Sequence, residues 1–334
     1  MVEKQQTTNS MEPIPLRTLT VLLNYERLVS DPRFKDQELV VSSIADPSVI
    51  SRGIDQNPGL FANELSTIKH RYINQFAVSD DHPSSDPLPT IFSIHPDAER
   101  PTKALSFADR ELIYHLTHGH DGCFVAIGLY QLFLELCPPE QELSLQITNE
   151  TPIIVNPQER EITEFSVQGP VLQSISIIPS GPLTLMGGFE DNSVHAVLSF
   201  PVRGGDDFVV DMTRMQYGTA GRGTYGENYF FGLWDDYNKS MAKICSGINN
   251  IRNSLQMNMT PEFDRARAQA CAQRVWERWQ KREEEGWCEH CGKPGVDSKL
   301  CGGCKEAKVR YCCREHQVAG WKLHKYTCEK KKSE

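Results

Sequence analysis

The chain has 334 residues, of which 39% are hydrophobic and 24% are charged, the balance of an ordinary globular protein with room for two domains. Its formal net charge of −9 at pH 7 disfavours attraction to nucleic-acid phosphates, which requires a basic surface. No apolar run approaches the roughly 20 residues that cross a bilayer. We therefore expect neither direct nucleic-acid binding nor a membrane protein.

The N-terminal residues 1–15 are mostly polar and contain Pro13 and Pro15. This composition predicts a disordered segment. The segment also lacks the basic stretch followed by an apolar stretch of a signal peptide, which favours an intracellular protein.

Residues 16–250 show helical patterns first and strand patterns afterwards. Apolar side chains recur at helical spacing over residues 60–76, a helix is predicted from Ser106 to Leu116, and another from Cys123 to the residues before Pro138. Short runs separated by Gly, Pro and Asn then predict strands near 144–147, 174–178 and 194–200. This order predicts an α+β domain of mixed helices and antiparallel strands.

A connecting helix is predicted over residues 260–286. Thr260 suits the N-cap, Pro261 the first helical position and Gly286 the C-terminal stop. One helical face carries an apolar stripe, so the helix should pack against the large domain. The stripe consists of Ala268, Ala272, Val275 and Trp279.

The segment 287–329 carries six cysteines and two histidines at the spacing of metal ligands. They are Cys288, Cys291, Cys301, Cys304, Cys312, His316, His324 and Cys328. Thiolates and imidazoles in sets of four suit tetrahedral zinc, so the array predicts two structural zinc ions. So short a segment cannot bury enough apolar surface to fold alone, and zinc supplies the missing free energy. Disulfides are the alternative, but they belong to oxidising compartments, whereas we expect an intracellular, reducing one, nucleus or cytoplasm.

The run from Tyr311 to Gln317, followed by Trp321, His324, Lys325 and Cys328, resembles the MYND-type zinc finger. His316 stands where that family usually has cysteine, and the interval from Cys304 to Cys312 is slightly long. Cys313 occupies the family's serine position.

Spacing alone leaves sequential and interleaved ligand pairings open. The resemblance implies the interleaved one, which gives one zinc to Cys288, Cys291, Cys312 and His316 and the other to Cys301, Cys304, His324 and Cys328. Cys313 and His290 are the alternative ligands. The resemblance also implies binding of a protein or peptide partner, including proline-rich peptides, with Gln317 and Trp321 as contacts. Trp321 could instead fill the small core. The basic tail 330–334 favours a solvated chain end over a targeting signal.

The large domain also carries a possible catalytic triad. Cys123 follows Asp121 and Gly122 at a predicted helix start, where amide dipoles favour a thiolate. His195 and Asp211 lie on consecutive predicted strands, and a hairpin register whose paired numbers sum to 406 sets them opposite each other. The acid could then orient the imidazole, which could activate the thiol.

The order of Cys123, His195 and Asp211 resembles that of papain-like and transglutaminase-like hydrolases, over roughly residues 105–235. The resemblance implies a cysteine hydrolase or acyl transferase with these residues as nucleophile, general base and orienting acid. No glutamine precedes Cys123 to supply a second oxyanion donor, so an inactive descendant of such a fold is an equal alternative. Buried structural roles for the three side chains are the other interpretation.

Two hypotheses follow for the whole chain. The first is a zinc-binding protein whose C-terminal finger docks a partner polypeptide. The second is a cysteine hydrolase or acyl transferase that the finger targets. A methyltransferase is disfavoured because the sequence shows no convincing cofactor motif.

Overall fold

The computed structural model describes residues 12–56, 70–78, 90–120, 122–179, 183–202, 206–259, 263–295, 299–304 and 308–329. Its helices are α1 Leu16–Val29, α2 Ser48–Gln56, α3 Arg100–Lys103, α4 Phe107–Gly119, α5 Cys123–Leu136, α6 Trp234–Met241, α7 Arg265–Gln280 and α8 Arg314–His324. Short 3-10 helices cover Pro32–Phe34, Pro157–Glu159 and Arg214–Gly221. Among these residues, no helix has the length and apolar character that a membrane crossing requires.

The strands form three sheets in the large domain and a small ladder in the C-terminal segment. They are β1 Ile14–Pro15, β2 Gln37–Ser42, β3 His70–Val78, β4 Leu143–Leu145, β5 Ile153–Val155, β6 Glu161–Pro170, β7 Leu172–Ile178, β8 Leu183–Gly187, β9 Asn192–Phe200, β10 Phe208–Asp211, β11 Phe230–Leu233, β12 Cys245–Ser254, β13 Lys299–Leu300 and β14 Arg310–Tyr311. The mixture of helices and sheets confirms the predicted α+β class.

The largest sheet has five antiparallel strands in the order β11-β10-β9-β6-β12. The four-stranded sheet β2-β3-β7-β8 and the three-stranded sheet β1-β4-β5 each contain one parallel pair, β3 with β7 and β1 with β4. The domain is therefore of mixed rather than purely antiparallel pairing. Parallel pairs join strands that are distant in the chain, which local sequence patterns cannot reveal.

Helices α1, α5 and α7 pack together, and α5 packs on strand β9 of the five-stranded sheet. Helix α5 contributes a nearly continuous apolar surface, from Ala126 to Leu134, to this core. Even-numbered residues of β9, such as Leu198 and Phe200, face the same cluster, whereas Val197 faces a second cluster on the opposite side. The sheet is thus buried on both faces, and side chains at its centre are removed from water.

Local capping signals define the helix that leads to Cys123. Ser106 and Asp109 form a capping box at the start of α4, with Ser106 Oγ accepting from Asp109 N at 3.2 Å. Helix α5 then begins at Cys123, as predicted, and ends before Pro138. These two helices agree with the sequence prediction because their caps and periodicity are local features.

The connecting helix is shorter than the predicted span 260–286. It begins at Arg265, because the Asp264 carboxylate accepts a hydrogen bond from Arg267 N at 3.0 Å and caps it. Thr260 and Pro261, the predicted start, lie outside the described residues. The predicted stripe is buried on α1 and α5, as expected for a docked amphipathic helix.

The predicted helix over residues 60–76 is wrong where the structure describes it, because His70–Val78 is strand β3. Residues 57–69 lie outside the described part of the chain. Ile73 packs in a cluster with Val41, whereas Phe76 packs in another with Phe92. Apolar residues three positions apart mimic a helix here because they occupy opposite faces of a strand that is covered on both sides.

Part of the predicted N-terminal disorder is also absent. Ile14 and Pro15 form β1, which pairs in parallel with Leu143 and Ser144 of β4. Ile14 is buried in the main core, which explains why the chain is ordered here. Residues 1–11 lie outside the described part of the chain.

The C-terminal segment consists of β13, β14 and α8 with two cysteine-containing loops, and it packs against the large domain. Gly292 has a φ of +79°, and a Cβ at this position would lie 2.5 Å from the carbonyl oxygen of Val21 in α1. Only glycine allows this backbone to approach α1 so closely. The contact seats the segment directly on the helical layer.

Candidate functional site: two metal clusters and a cysteine, histidine and aspartate group

The first metal cluster brings together Cys288, Cys291, Cys312 and His316, whose ligand atoms all lie within 4.8 Å of one another. His316 turns Nδ1 toward the sulfurs, 3.0 Å from Cys312 Sγ and 3.7 Å from Cys288 Sγ. Cys291 Sγ lies 3.8 Å from Cys312 Sγ.

The second cluster brings together Cys301, Cys304, His324 and Cys328, all of them buried. His324 uses the other ring nitrogen, since Nε2 lies 3.2 Å from Cys304 Sγ and 3.3 Å from Cys301 Sγ. Its Nδ1 faces Thr327 Oγ1 at 3.4 Å. The eight side chains thus combine in the interleaved pairing that the family resemblance implies.

Both clusters fit zinc in donor type and in size. A tetrahedron with Zn–S bonds of about 2.3 Å has sulfur–sulfur edges of about 3.8 Å. One sulfur–sulfur distance in each cluster agrees with this value, 3.8 Å between Cys291 and Cys312 and 3.7 Å between Cys304 and Cys328. Three sulfurs and one imidazole at each centre form a closed set, so the two zinc ions are structural. Together they replace the apolar core that this segment lacks.

The two alternative ligands have other roles. Cys313 is the N-cap of α8, with its sulfur accepting from His316 N at 3.4 Å. Its sulfur therefore accepts a backbone hydrogen bond at the helix start, as the hydroxyl of an N-cap serine does. His290 contacts Glu111 rather than the sulfurs, with 2.9 Å between His290 Nε2 and Glu111 Oε1.

Glu111 of α4 is a residue that the sequence analysis missed. Its buried carboxylate contacts both His290 and His316 of the C-terminal segment. Burial acts to raise the pKa of Glu111, but the contacts with these histidines outweigh it and hold the pKa well below its usual range. The carboxylate is therefore charged, and it joins the large domain to the first metal cluster.

The predicted partner contacts lie on α8. The Trp321 side chain is 39% exposed and its ring lies 5.7 Å from that of His324, so it packs on a zinc ligand without filling the core. Val318, 62% exposed, is three residues earlier on the same helix, and Gln317 is partly exposed. Tyr311 is the buried aromatic residue of the segment.

The structure also brings together the three residues of the predicted triad. His195 Nε2 lies 2.8 Å from Asp211 Oδ2, and both side chains are 1% exposed. Cys123 lies near enough to the His195 ring to contribute to the raised pKa of His195.

The hairpin register differs from the predicted one. Phe208 pairs with Phe200 and Val210 with Leu198, so paired numbers sum to 408 rather than 406. His195 and Asp211 are therefore diagonal neighbours and not directly opposite. A shift of two residues keeps both side chains on the same face, which is why the contact survives.

Three further residues that the sequence analysis did not identify complete this group. Asp211 Oδ2 also accepts from the Tyr237 hydroxyl at 2.9 Å, and Oδ1 accepts from Thr213 N at 3.0 Å. The Gln216 amide nitrogen lies 3.3 Å from His195 Nδ1. These contacts fix the carboxylate and the imidazole in a single arrangement.

The electrostatics of the group favour an ion pair. Burial acts to lower the pKa of His195, but the charge and hydrogen bond of Asp211 and the contact with Cys123 outweigh it and raise the pKa to about 10. Burial likewise acts to raise the pKa of Asp211, and His195 reverses this, so that its pKa is lowered. The raised pKa of His195 and the lowered pKa of Asp211 both favour the charged forms of the two side chains.

His115 and His118, near the end of α4, are buried in the protein interior. Burial lowers the pKa of His115 and of His118 to about 3, so both are neutral. The His118 ring packs at 4.1 Å on Phe34 and on Tyr114.

Residues 288–328 match the family model of the MYND finger. A search of curated proteins and a search of solved structures found no match to the chain. The match covers the segment that holds both metal clusters and does not extend to the domain that carries Cys123. The protein is therefore a zinc-binding protein with a C-terminal MYND-type zinc finger.

Proposed function

We propose that the MYND finger binds a partner polypeptide through the exposed face of α8, and that the preferred partner is a proline-rich peptide. The observation that carries the proposal is the exposure of Trp321 beside Val318 and Gln317 on a helix that the zinc clusters hold rigid. Both zinc ions have complete ligand sets, so the finger offers a surface and not an open metal site.

The chemistry of this face suits a polyproline helix. Such a helix has no internal hydrogen bonds and leaves its carbonyl oxygens available, while its proline rings pack on exposed aromatic side chains. Trp321 offers the aromatic surface, and the Gln317 amide can donate to a carbonyl oxygen. Thiolate ligands require a reducing environment, which agrees with an intracellular location.

The test compares Trp321→Ala with Leu300→Ala, which removes another exposed apolar side chain of the finger. Fluorescence anisotropy measures binding to labelled proline-rich peptides and to matched peptides with alanine in place of proline. We expect Trp321→Ala to lose about 2 kcal/mol of binding free energy, roughly thirtyfold in Kd, and Leu300→Ala to bind normally. Both variants should keep two zinc equivalents by native mass spectrometry. Unchanged peptide binding by Trp321→Ala, or loss of zinc from it, would contradict the proposal.

We infer a second candidate function, thiol-dependent hydrolysis or acyl transfer, from the 2.8 Å contact between His195 and Asp211 and the proximity of Cys123 to this pair. In such a reaction the Cys123 thiol gives its proton to His195 as Sγ attacks the acyl carbon, and His195 then passes that proton to the leaving amine or alcohol. Water deprotonated by His195, or an acceptor in a transfer reaction, then releases the acyl group from sulfur. The N–H groups of the first turn of α5, including that of Cys123, have no acceptor within the helix and are suited to stabilise the oxyanion.

Labelling with iodoacetamide under native conditions tests the second candidate. Peptide mass spectrometry should show faster modification of Cys123 than of Cys137, although Cys123 is the more buried of the two. His195→Gln should abolish this advantage. Hydrolysis of p-nitrophenyl acetate should depend on Cys123 in a comparison with Cys123→Ala. If Cys137 reacts first in the native protein, the catalytic interpretation fails, whereas the finger proposal is unaffected.

A further inference from the structure

The Glu111 carboxylate lies beside His316, on the side of the ring that faces away from the sulfurs of the first metal cluster. Its Oε1 lies 3.3 Å from His316 Nε2, 2.9 Å from His290 Nε2 and 3.0 Å from Asn228 Nδ2. Its Oε2 lies 3.4 Å from Arg222 Nη2. All of the groups that meet Oε1 are buried, so water does not compete for the carboxylate.

The orientation of His316 leaves one nitrogen for this carboxylate. Nδ1 faces Cys312 and Cys288, so a zinc ion bound there leaves the proton of the neutral ring on Nε2. This buried Nε2 lies 3.3 Å from Glu111 Oε1 and makes no well-formed hydrogen bond with any residue that the structure describes. A buried N–H without a partner is costly, and Glu111 is the acceptor within reach.

The negative charge of Glu111 affects how His316 binds zinc. Histidine contributes a neutral donor to a cluster whose three other ligands are thiolates. A carboxylate that attracts the Nε2 proton makes the opposite nitrogen, Nδ1, more basic, and it fixes the orientation of the ring.

We propose that Glu111 is a positioning residue of the zinc centre formed by Cys288, Cys291, Cys312 and His316. Through this contact the large domain contributes to zinc retention by the finger. The contact couples metal occupancy to the seating of the finger on α4. The proposal is independent of peptide binding and of thiol chemistry at Cys123.

The geometry argues against a third metal ion ligated directly by Glu111, His290 and His316. The 2.9 Å between Glu111 Oε1 and His290 Nε2 is a hydrogen-bond distance, and the Asn228 amide donates to the same oxygen. His316 Nδ1 already belongs to the sulfur cluster. A third zinc equivalent in the native protein would therefore overturn the assignment.

The experiment measures zinc release from full-length Glu111→Gln in a chelator competition assay. The finger contains its own control, since His324 of the second cluster faces Thr327 and not Glu111. We expect one of two zinc equivalents to leave about 10–100-fold faster and the other to leave at the native rate. Thr327→Val should leave the rate of the affected ion unchanged. Faster release of both ions together, or of neither, would refute the role of Glu111.

A rescue variant separates positioning of the metal ligand from a merely structural role. Cysteine also binds zinc but has no second ring nitrogen, so His316→Cys should make zinc retention independent of Glu111. We expect His316→Cys and His316→Cys with Glu111→Gln to release zinc at equal rates. If Glu111→Gln accelerates release equally in this background, its effect is structural and the proposal fails. If Glu111→Gln alone does not fold, the comparison between His316→Cys and the double variant still tests the proposal, since only a positioning role allows the double variant to fold and retain zinc.

Discussion

The ion pair between His195 and Asp211 predicts a specific dependence of stability on pH. Both side chains are 1% exposed, and their closest atoms are 2.8 Å apart. Asp211→Asn keeps the shape of the side chain and removes its charge. Removing one partner of a buried ion pair costs about 3–5 kcal/mol. The rise in the pKa of His195 from 6.5 to about 10 corresponds to a similar free energy, at about 1.4 kcal/mol per pH unit.

The sign of the dependence follows from the direction of these shifts. The folded protein binds the His195 proton more tightly than the unfolded chain does, so the stabilisation is complete below about pH 6.5. It declines as the pH rises and is lost near pH 10. The lowered pKa of Asp211 matters only under acidic conditions, because its contribution is lost when the carboxylate is protonated. Between pH 7 and 10, the free-energy difference between native protein and Asp211→Asn should therefore shrink by about 1.4 kcal/mol per pH unit.

Urea denaturation of zinc-loaded protein at pH 6, 7, 8 and 9 measures this difference. We expect about 4 kcal/mol at pH 6 and about 1 kcal/mol at pH 9. Tyr237→Phe is the matched control, since it removes a hydrogen bond to Asp211 and leaves the ion pair. It should cost about 1.5–3 kcal/mol with little dependence on pH over this range. A difference for Asp211→Asn that is constant from pH 6 to 9 would refute the ion pair.

Three further predictions concern the metal, the seating of the finger and the core. Chelation should release two zinc equivalents and raise hydrogen exchange throughout residues 288–328, and protection retained without metal would contradict a structural role for zinc. Gly292→Ala places a Cβ 2.5 Å from the carbonyl oxygen of Val21, so limited proteolysis should cleave the finger faster, and an unchanged rate would show that the seating tolerates a side chain. Phe133→Ala should cost about 3–5 kcal/mol in urea denaturation because Phe133 is fully buried. Phe124→Ala, at a site 37% exposed, should lower the free energy of unfolding by less than about 1.5 kcal/mol. Equal losses for Phe133→Ala and Phe124→Ala would contradict the assignment of Phe133 to the core.

The features that sequence predicts well in this protein depend on neighbouring residues. The start of α4 after Ser106 and the start of α5 at Cys123 are each encoded by residues within a few positions of the helix end. The zinc ligands follow the same logic, because metal coordination restricts both the residue types and their spacing. Their pairing was not evident from spacing and came from the family resemblance.

The features that sequence predicts poorly depend on distant partners. Strand β3 resembles a helix until its parallel pairing with β7 is known. The β9–β10 register differs by two residues, because side-chain alternation specifies the face but not the position along it. Glu111 and His290 are separated by 179 positions, and no local pattern marks the Glu111 carboxylate as part of a metal centre.

The close contact of Gly292 with α1, together with the buried contacts of Glu111, fixes the position of the finger on the large domain. This bears on how a peptide bound to the finger as proposed would be placed. If the finger were joined to the large domain by a flexible linker, a bound peptide would be distributed over a large volume. Its local concentration near the large domain would then depend on the length of the linker. Here the finger packs directly on the large domain, so a peptide bound on α8 as proposed would be held at a fixed position relative to that domain. The length of the peptide, and not the length of a tether, would then set the local concentration of its far end near the large domain.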